Sequence, residues 1–386
     1  MLKMKKLFIY IIFLLSAWSC KEKYVPSISS PTTGYLVVEG FINSGQDPTS
    51  ITLTRTTKLY DTANIIYEHN AIVNIEGENQ ETFPLIENGN GVYISSSLNL
   101  NNSEKYRLDI KTQDGKEYAS DFTSVKSTPD IDSLNWLQEN GGVNIYVNTH
   151  DPQNNTKYYY WKYEETWEFH STYYSSIKYV FNQNNLPVGV AYRNADQSPD
   201  TTIHKCWKTV NSTNINIGSS EKLAADVIHL PIVFIEPSSV ELSVLYSINV
   251  RQYALSHEAY LFYQKIKKNT ESVGSLFDAQ PSELQGNIHC ISNPNEIVIG
   301  YIDISQEKQK RIFIRNDEVS GWNYNQRCIE TIIDNNPDSI LKNGQGLWPT
   351  VPFSVRLGIT QFYATPDEGC MDCTLNGSNV RPAFWP

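Results

Sequence analysis

Tyr160-Trp161-Lys162-Tyr163-Glu164-Glu165-Thr166-Trp167-Glu168-Phe169-His170 decides how this chain folds. Read with the two-residue period of a strand, Trp161, Tyr163, Glu165, Trp167 and Phe169 share one face, and Lys162, Glu164, Thr166, Glu168 and His170 share the other. Four aromatic rings on one face need a covering layer, so that face is core. The whole composition points the same way. Aromatics make up 12% of the chain, with 24 Tyr, 14 Phe and 8 Trp against 3 Met, and charged residues only 19%, a balance that favours strands over helices and argues against disorder and coiled coil.

Working outward, strand patterns recur on both sides. Before the quoted stretch lie Tyr35 to Ile42, Ser50 to Arg55, and Ala71, Val73 and Ile75 on one face of a third run. Asn88-Gly89-Asn90-Gly91 and Asp114-Gly115 separate further strand pairs and suit tight hairpins. Some seven strands in about 90 residues predict a small, immunoglobulin-like β-sandwich over residues 35–128. Pro129-Asp130 breaks the pattern and sets the boundary. Residues 129–386 then read as a larger, aromatic-rich β-sandwich, with strands predicted at Val188 to Tyr192, Ile232 to Ile235, Val240 to Gln252, Glu296 to Ile304, Arg311 to Arg315 and Val355 to Phe362. One helix is predicted, capped by Ser256 and running to about Thr270, with Leu255, Ala259, Phe262 and Ile266 at helical spacing and Gly274 beyond it. The fold class is therefore all-β.

The first 34 residues read as an address. Lys3, Lys5 and Lys6 precede an apolar run from Leu7 to Leu15, too short for a permanent span, and Ser16-Ala17-Trp18-Ser19-Cys20 resembles a lipobox. Residues 1–19 are thus expected to be a lipoprotein signal peptide, with Cys20 carrying the lipid anchor and residues 20–34 serving as a Pro/Ser/Thr-rich lipidated tether. Lys21-Glu22 partly resembles a signal for the outer face of an outer membrane, although position 23 is Lys and not a second acid. The net charge is −11, and removing residues 1–19 takes away three lysines and no acid, which leaves 28 basic against 42 acidic side chains and a net of −14. Such a chain carries no electrostatic footprint for nucleic acid.

Chemistry is harder to find. No Gly-x-Ser-x-Gly, phosphate loop or dinucleotide fingerprint is present. His69, His150, His170, His229 and His257 are scattered without metal-ligand spacing, and His204 with Cys206 and His289 with Cys290 are poorly spaced for zinc. Glu164, Glu165 and Glu168 invite a glycosidase reading, but alternation sends Glu165 to the aromatic face and the other two away. The residues therefore predict a non-catalytic chain with no catalytic residue, metal or cofactor. Trp348, beside Pro349 and Pro352, is a candidate exposed anchor, and Asp-Ser/Thr-apolar triplets mark Thr62, Ser133, Thr201 and Ser339 as candidate O-glycan acceptors.

Several segments together look familiar. Tyr35 to Ile42, Tyr160 to Phe169 and Cys206-Trp207 are joined by Leu276 to Ser282, Gly286-Asn287-Ile288, Asn293 to Glu296, Gly300-Tyr301 and the closing Cys370 to Trp385. In that order they resemble a family of exported Bacteroidota lipoproteins catalogued as domain of unknown function 4249, with Asn376-Gly377 where that family usually has two glycines. The resemblance implies an exported lipoprotein, often encoded beside a TonB-dependent outer-membrane transporter, and brings no catalytic residues with it. Five cysteines follow Cys20, so an exported chain should form two disulfides and leave one thiol. The four in family-like segments are Cys206, Cys328, Cys370 and Cys373, which leaves Cys290 free. Of the three pairings, the two that join the tail cysteines to Cys206 and Cys328 are preferred, since such bridges close long loops and pin the C-terminus. The expectation is an accessory or ligand-capturing partner of such a transporter; the alternatives are a surface glycan-binding module or glycan-acting enzyme, and a structural envelope or adhesion protein.

Overall fold

β-Branched and aromatic residues alternating with polar ones produce the strands that the sequence predicts, and tertiary contacts decide how they are shared among sheets. The computed structural model describes residues 34–57, 65–271 and 286–386. The expected signal peptide, Cys20, the expected tether up to residue 33, Thr62 and the Leu276 to Ser282 segment lie outside the described residues.

In the first unit, Leu36–Asn43 pairs antiparallel with Pro48–Arg55, and the path continues through Val92–Ser97, Thr82–Glu87, Ile72–Gly77, Lys105–Lys111 and Glu117–Ser120. Thr82–Glu87 belongs to both layers, pairing with Ile72–Gly77 at its start and with Val92–Ser97 at its end. Leu36, Val38, Ile51, Leu53, Val73, Ile75, Leu108 and Ile110 fill the space between the layers.

The boundary at residue 129 is crossed a second time, which the sequence reading did not foresee. Ile288–Cys290 adds to Glu117–Ser120 at one edge of the path, and Ile299–Gly300 adds in parallel to Leu36–Asn43 at the other. One returning segment thus covers both edges, which would otherwise expose unpaired backbone. Ile288, Cys290, Val298, Ile302 and Ile304 enter the first unit's core, so the strand predicted at Glu296 to Ile304 is two short strands of that unit. Gly300 has φ +148°, and a Cβ there would stand 2.3 Å from the carbonyl oxygen of Val38. Gly300→Ala is expected to cost about 2 kcal/mol, read as a lower urea midpoint at unchanged slope.

The second unit is a sandwich of a three-stranded sheet (Ile131–Glu139, Gly142–His150, Val227–Ile235) on a larger one containing Lys205–Asn211, Tyr158–His170, Leu245–Ala254 and Lys308–Arg315. Trp161, Tyr163, Trp167 and Phe169 lie in the core between them, as alternation requires, beside Val143, Ile145, Ile248 and Ile314. The opposite face of Tyr158–His170 is covered too. The helix His257–Glu271 packs over its first half, where Phe41 of the first unit stacks on Tyr253 at 4.5 Å and lies 5.3 Å from Tyr160. The Ser256 hydroxyl caps this helix by accepting from the Ala259 amide, and the Ser256 amide donates to the buried Asp303 carboxylate of the first unit at 2.6 Å. Aromatic packing and this buried bond join the units firmly.

An outlying unit was not foreseen. The hairpin Ile177–Phe181/Pro187–Tyr192, a sheet of Thr331–Asp334, Ile359–Thr365 and Trp348–Arg356, and a second helix, Pro337–Asn343, enclose Ile177, Ile333, Ile340, Phe362 and Ala364. The expectation of one helix and of a continuous Val355 to Phe362 strand is corrected here. Asn336 caps the short helix, with Pro337 at its first turn, and Leu357 and Gly358 both take positive φ (51° and 83°), which turns the strand into a hairpin. The strand predicted from Val240 also begins later, at Leu245, after a 3₁₀ turn over Val240–Leu242.

Candidate functional site

Strand alternation brings Glu165 to the aromatic face, but the 3₁₀ turn at Val240–Leu242 interrupts the layer that would cover it. The result is a pocket of about 430 Å³ whose lining includes Glu165, Trp167, Phe169, Lys208, Glu241 and Tyr324. Gly369, Asn376 and Gln326 add a further wall from the C-terminal region. That wall is held by two disulfides, Cys206–Cys373 and Cys328–Cys370, while Cys290 is a free, buried thiol in the first unit's core. Cys370 and Cys373 each bind a distant partner and not one another.

The Glu165 carboxylate accepts a hydrogen bond from the fully buried Tyr246 hydroxyl at 2.7 Å. Burial pushes the Glu165 carboxyl above the usual range, the Tyr246 bond opposes this, and the charge of Glu241 adds to it. The Glu241 Oε2 atom is itself enclosed and has no hydrogen-bond partner. Lys208 Nζ lies 5.9 Å from the Trp167 ring centre. For an acid with a raised folded pKa, the folded state holds the proton longer, so stability falls as pH rises from the unfolded pKa through the folded one. Glu165→Gln should therefore be more stable than the native chain at neutral pH, and the difference should vanish on acidification.

Glu168, on the opposite face, behaves in the reverse sense. Buried, it accepts from Lys205 Nζ at 2.8 Å, His170 Nε2 at 2.9 Å and Trp385 Nε1 at 3.1 Å. Burial alone would raise its pKa, but these partners outweigh it and hold the carboxyl below the usual range. Its contribution is present above the unfolded pKa of about 4.3 and is lost as pH falls through the lower folded value. Native protein should lose its stability advantage over Glu168→Gln in this acid window, measured by urea unfolding across pH 3 to 7.

The sequence-predicted residues do not converge. Glu164 pairs with Arg311 at 3.1 Å, away from the pocket. His204 meets the Ser171 hydroxyl at 2.9 Å and stacks on Tyr174, but Ser171 is buried and also donates to the Tyr173 carbonyl oxygen, so its oxygen is not presented as a nucleophile. Cys206 is consumed by its disulfide, and His289 faces Asp121 at 3.3 Å. Among the described residues no group of three His, Cys, Asp or Glu side chains is placed to hold a metal ion. Thr201 is exposed beside Asp200, whereas Ser133 and Ser339 are half-buried. Trp348 is partly exposed at the base of the outlying hairpin.

A larger cleft of about 940 Å³ lies between the units, but three of the four acids that line it are occupied: Asp130 by Lys308 at 2.8 Å, Asp132 by His150 at 2.7 Å, and Asp151 by three amides of its own turn. Glu241 is the residue that sequence reading missed. It sits inside an apparent strand run, and the nearest signal was Pro237-Ser238-Ser239, which starts the interrupting turn.

These features define a β-sandwich protein of several units, with a disulfide-held tail and an acidic, aromatic-walled pocket. The chain belongs to the family described as Domain of unknown function (DUF4249), whose sequence model matches residues 21–311; the Cys370 to Trp385 segment lies beyond that match. No curated protein matches it. Among solved structures, one described as "Biofilm associated protein - BSP domain" aligns at 7% identity with a TM-score of 0.16, covering 94% of this chain and 80% of that one. A second, "Biofilm associated protein - B domain", aligns at 7% identity and TM-score 0.16 over 75% and 90%. Overlays that poor carry no argument about this protein.

Proposed function

We propose that this chain is a non-catalytic, lipid-anchored protein of the outer membrane that captures a ligand as the accessory of a TonB-dependent transporter. The leader ending at Cys20 supports the anchor, and two disulfides suit an exported protein. The observation that carries the partner role is the outlying hairpin. Leu357 at its tip is 95% exposed, and Phe353, Val355 and Ile359 beside it are 45%, 70% and 42% exposed. Phe353 and Val355 rim a groove of about 620 Å³ that runs to Ile332 and the short helix. Apolar side chains this exposed, gathered at one hairpin, suit a docking element.

The double variant Val355→Asp/Leu357→Asp tests the reading. It is expected to leave the unfolding free energy within about 1 kcal/mol of native, since both side chains are solvated, and to abolish co-purification of a transporter from detergent-solubilised native membranes. Equal recovery by the native and variant proteins would reject the hairpin as the docking element. The pocket favours a second reading, a glycan-binding module, because Trp167, Phe169 and Tyr324 beside carboxylates also suit a sugar.

A further inference from the structure

We infer that His204 makes the joint between the outlying unit and the second sandwich pH-sensitive, loosening it as the solution turns acid. Two stretches of chain connect the sandwich to the hairpin Ile177–Phe181/Pro187–Tyr192. Residues 171–176 run out from the end of Tyr158–His170, and residues 193–204 run back to Lys205–Asn211. They are bonded side by side: the Arg193 amide donates to the Ser176 carbonyl oxygen at 2.8 Å, the Asp200 amide to that of Ser175 at 2.9 Å, and the Ser171 amide to that of His204 at 2.9 Å. His204 therefore closes this neck at its base, where both stretches meet the sandwich. The Tyr173 amide also donates to the Cys370 carbonyl oxygen at 2.8 Å, which ties the neck to the Cys328–Cys370 bridge.

The His204 ring is buried, and its Nδ1 lies 2.9 Å from Ser171 Oγ. That hydroxyl donates its one proton to the Tyr173 carbonyl oxygen, so Nδ1 is the donor of the pair and a further proton can enter only at Nε2. The Tyr174 ring covers the imidazole at 3.7 Å, and the His170 ring stands 5.0 Å from it. Glu168 lies beyond, taken by His170 and Lys205, and among the described residues no carboxylate pairs with His204. Burial first, and then the charge of His170, push the His204 imidazole below its ordinary 6.5, against the opposing pull of the Tyr173 carbonyl. The folded state then holds fewer protons than the unfolded one, so stability is lost as pH falls from about 6.5 through the lower folded value. Two imidazolium rings this close repel, and a buried one is poorly solvated. Opening the neck relieves both.

Hydrogen exchange of the mature full-length protein in mildly acid and mildly alkaline buffer, each rate referred to its intrinsic value, tests this. In acid, residues 171–176 and 200–204 are expected to lose about tenfold in protection, while Gly142–His150 and the first unit's strands keep theirs. His204→Phe keeps a ring under Tyr174 but takes no proton, so its protection should be the same in both buffers. His170→Gln should narrow the difference. Should the phenylalanine form not fold, the imidazole titration of the native protein, followed by NMR, decides alone, and a His204 midpoint below 6.5 is expected. Equal protection in both buffers, the same loss in His204→Phe, or a His204 midpoint at or above 6.5 would overturn the inference. The hairpin read above as the docking element belongs to this unit, so recovery of the transporter should also weaken in acid. That corollary rests on the docking reading, whereas exchange needs no partner and reports on the joint alone.

Discussion

Cys373→Ser is expected to lower the unfolding free energy by about 5 kcal/mol, because Cys206–Cys373 closes a loop with a sequence separation of 167, and chain entropy scales with the logarithm of loop length. The separation of 42 for Cys328–Cys370 gives a smaller figure, about 4 kcal/mol. The first bridge also does local work that the loop arithmetic omits. It sits in the second unit's core, next to the point where Trp207 and Ser378 exchange backbone hydrogen bonds, and from there the tail runs on to Trp385. Trp385 packs edge-on against Phe313 at 5.6 Å, Arg311 lies 3.6 Å from the Phe384 ring centre, and the Trp385 indole caps Glu168. Releasing Cys373 should therefore free the tail as well as destabilise the chain. Hydrogen exchange should show lost protection over residues 205–211 and 376–386, with the first unit's strands unchanged. Equal protection in both proteins would show that packing alone holds the tail.

Trp161→Ala is expected to cost about 5 kcal/mol or more. The side chain is fully buried and stacks with Tyr159 at 5.6 Å, so truncation alone accounts for about 3 to 5 kcal/mol as lost burial and cavity. Its indole nitrogen also donates to Gln252 Oε1 at 2.7 Å, and the Gln252 amide in turn donates to the Pro129 carbonyl oxygen and the Thr149 hydroxyl. Gln252 is buried as well, so removing the indole orphans an enclosed acceptor and adds about 1 to 3 kcal/mol. Trp161→Phe separates these effects, keeping most of the ring and losing the hydrogen bond. Chemical unfolding of the two variants should place the phenylalanine form roughly midway. A Trp161→Ala loss below about 2 kcal/mol would mean that the core is looser than this packing implies.

The strands that were legible in the sequence are those with a strict two-residue period, and they set the core of both sandwiches: Leu36, Val38 and Leu53 in the first, Trp161, Tyr163 and Trp167 in the second. The Ser256 cap was legible for the same reason, since local chemistry alone specifies it. What escaped was long-range or locally ambiguous. Nothing near Ile288 or Gly300 announces that they pair with strands from the start of the chain, because that choice is made by the open edges they cover. Leu357 has no turn propensity of its own, and the hairpin follows from its neighbour Gly358 and from pairing with Ile359–Thr365. In the pocket, alternation placed Glu165 correctly. Glu241 joined it only because the chain leaves the strand path for one turn.

The most direct test of the account is to place a photo-crosslinking benzophenone side chain at position 357 of the protein in its native cells, irradiate, and identify what becomes covalently attached. The account predicts peptides of an outer-membrane transporter joined at residue 357, and no such product when the probe stands instead at the exposed Ile86 of the first unit. A probe at position 357 that gives no adduct, or the same adducts as a probe at position 86, would contradict it.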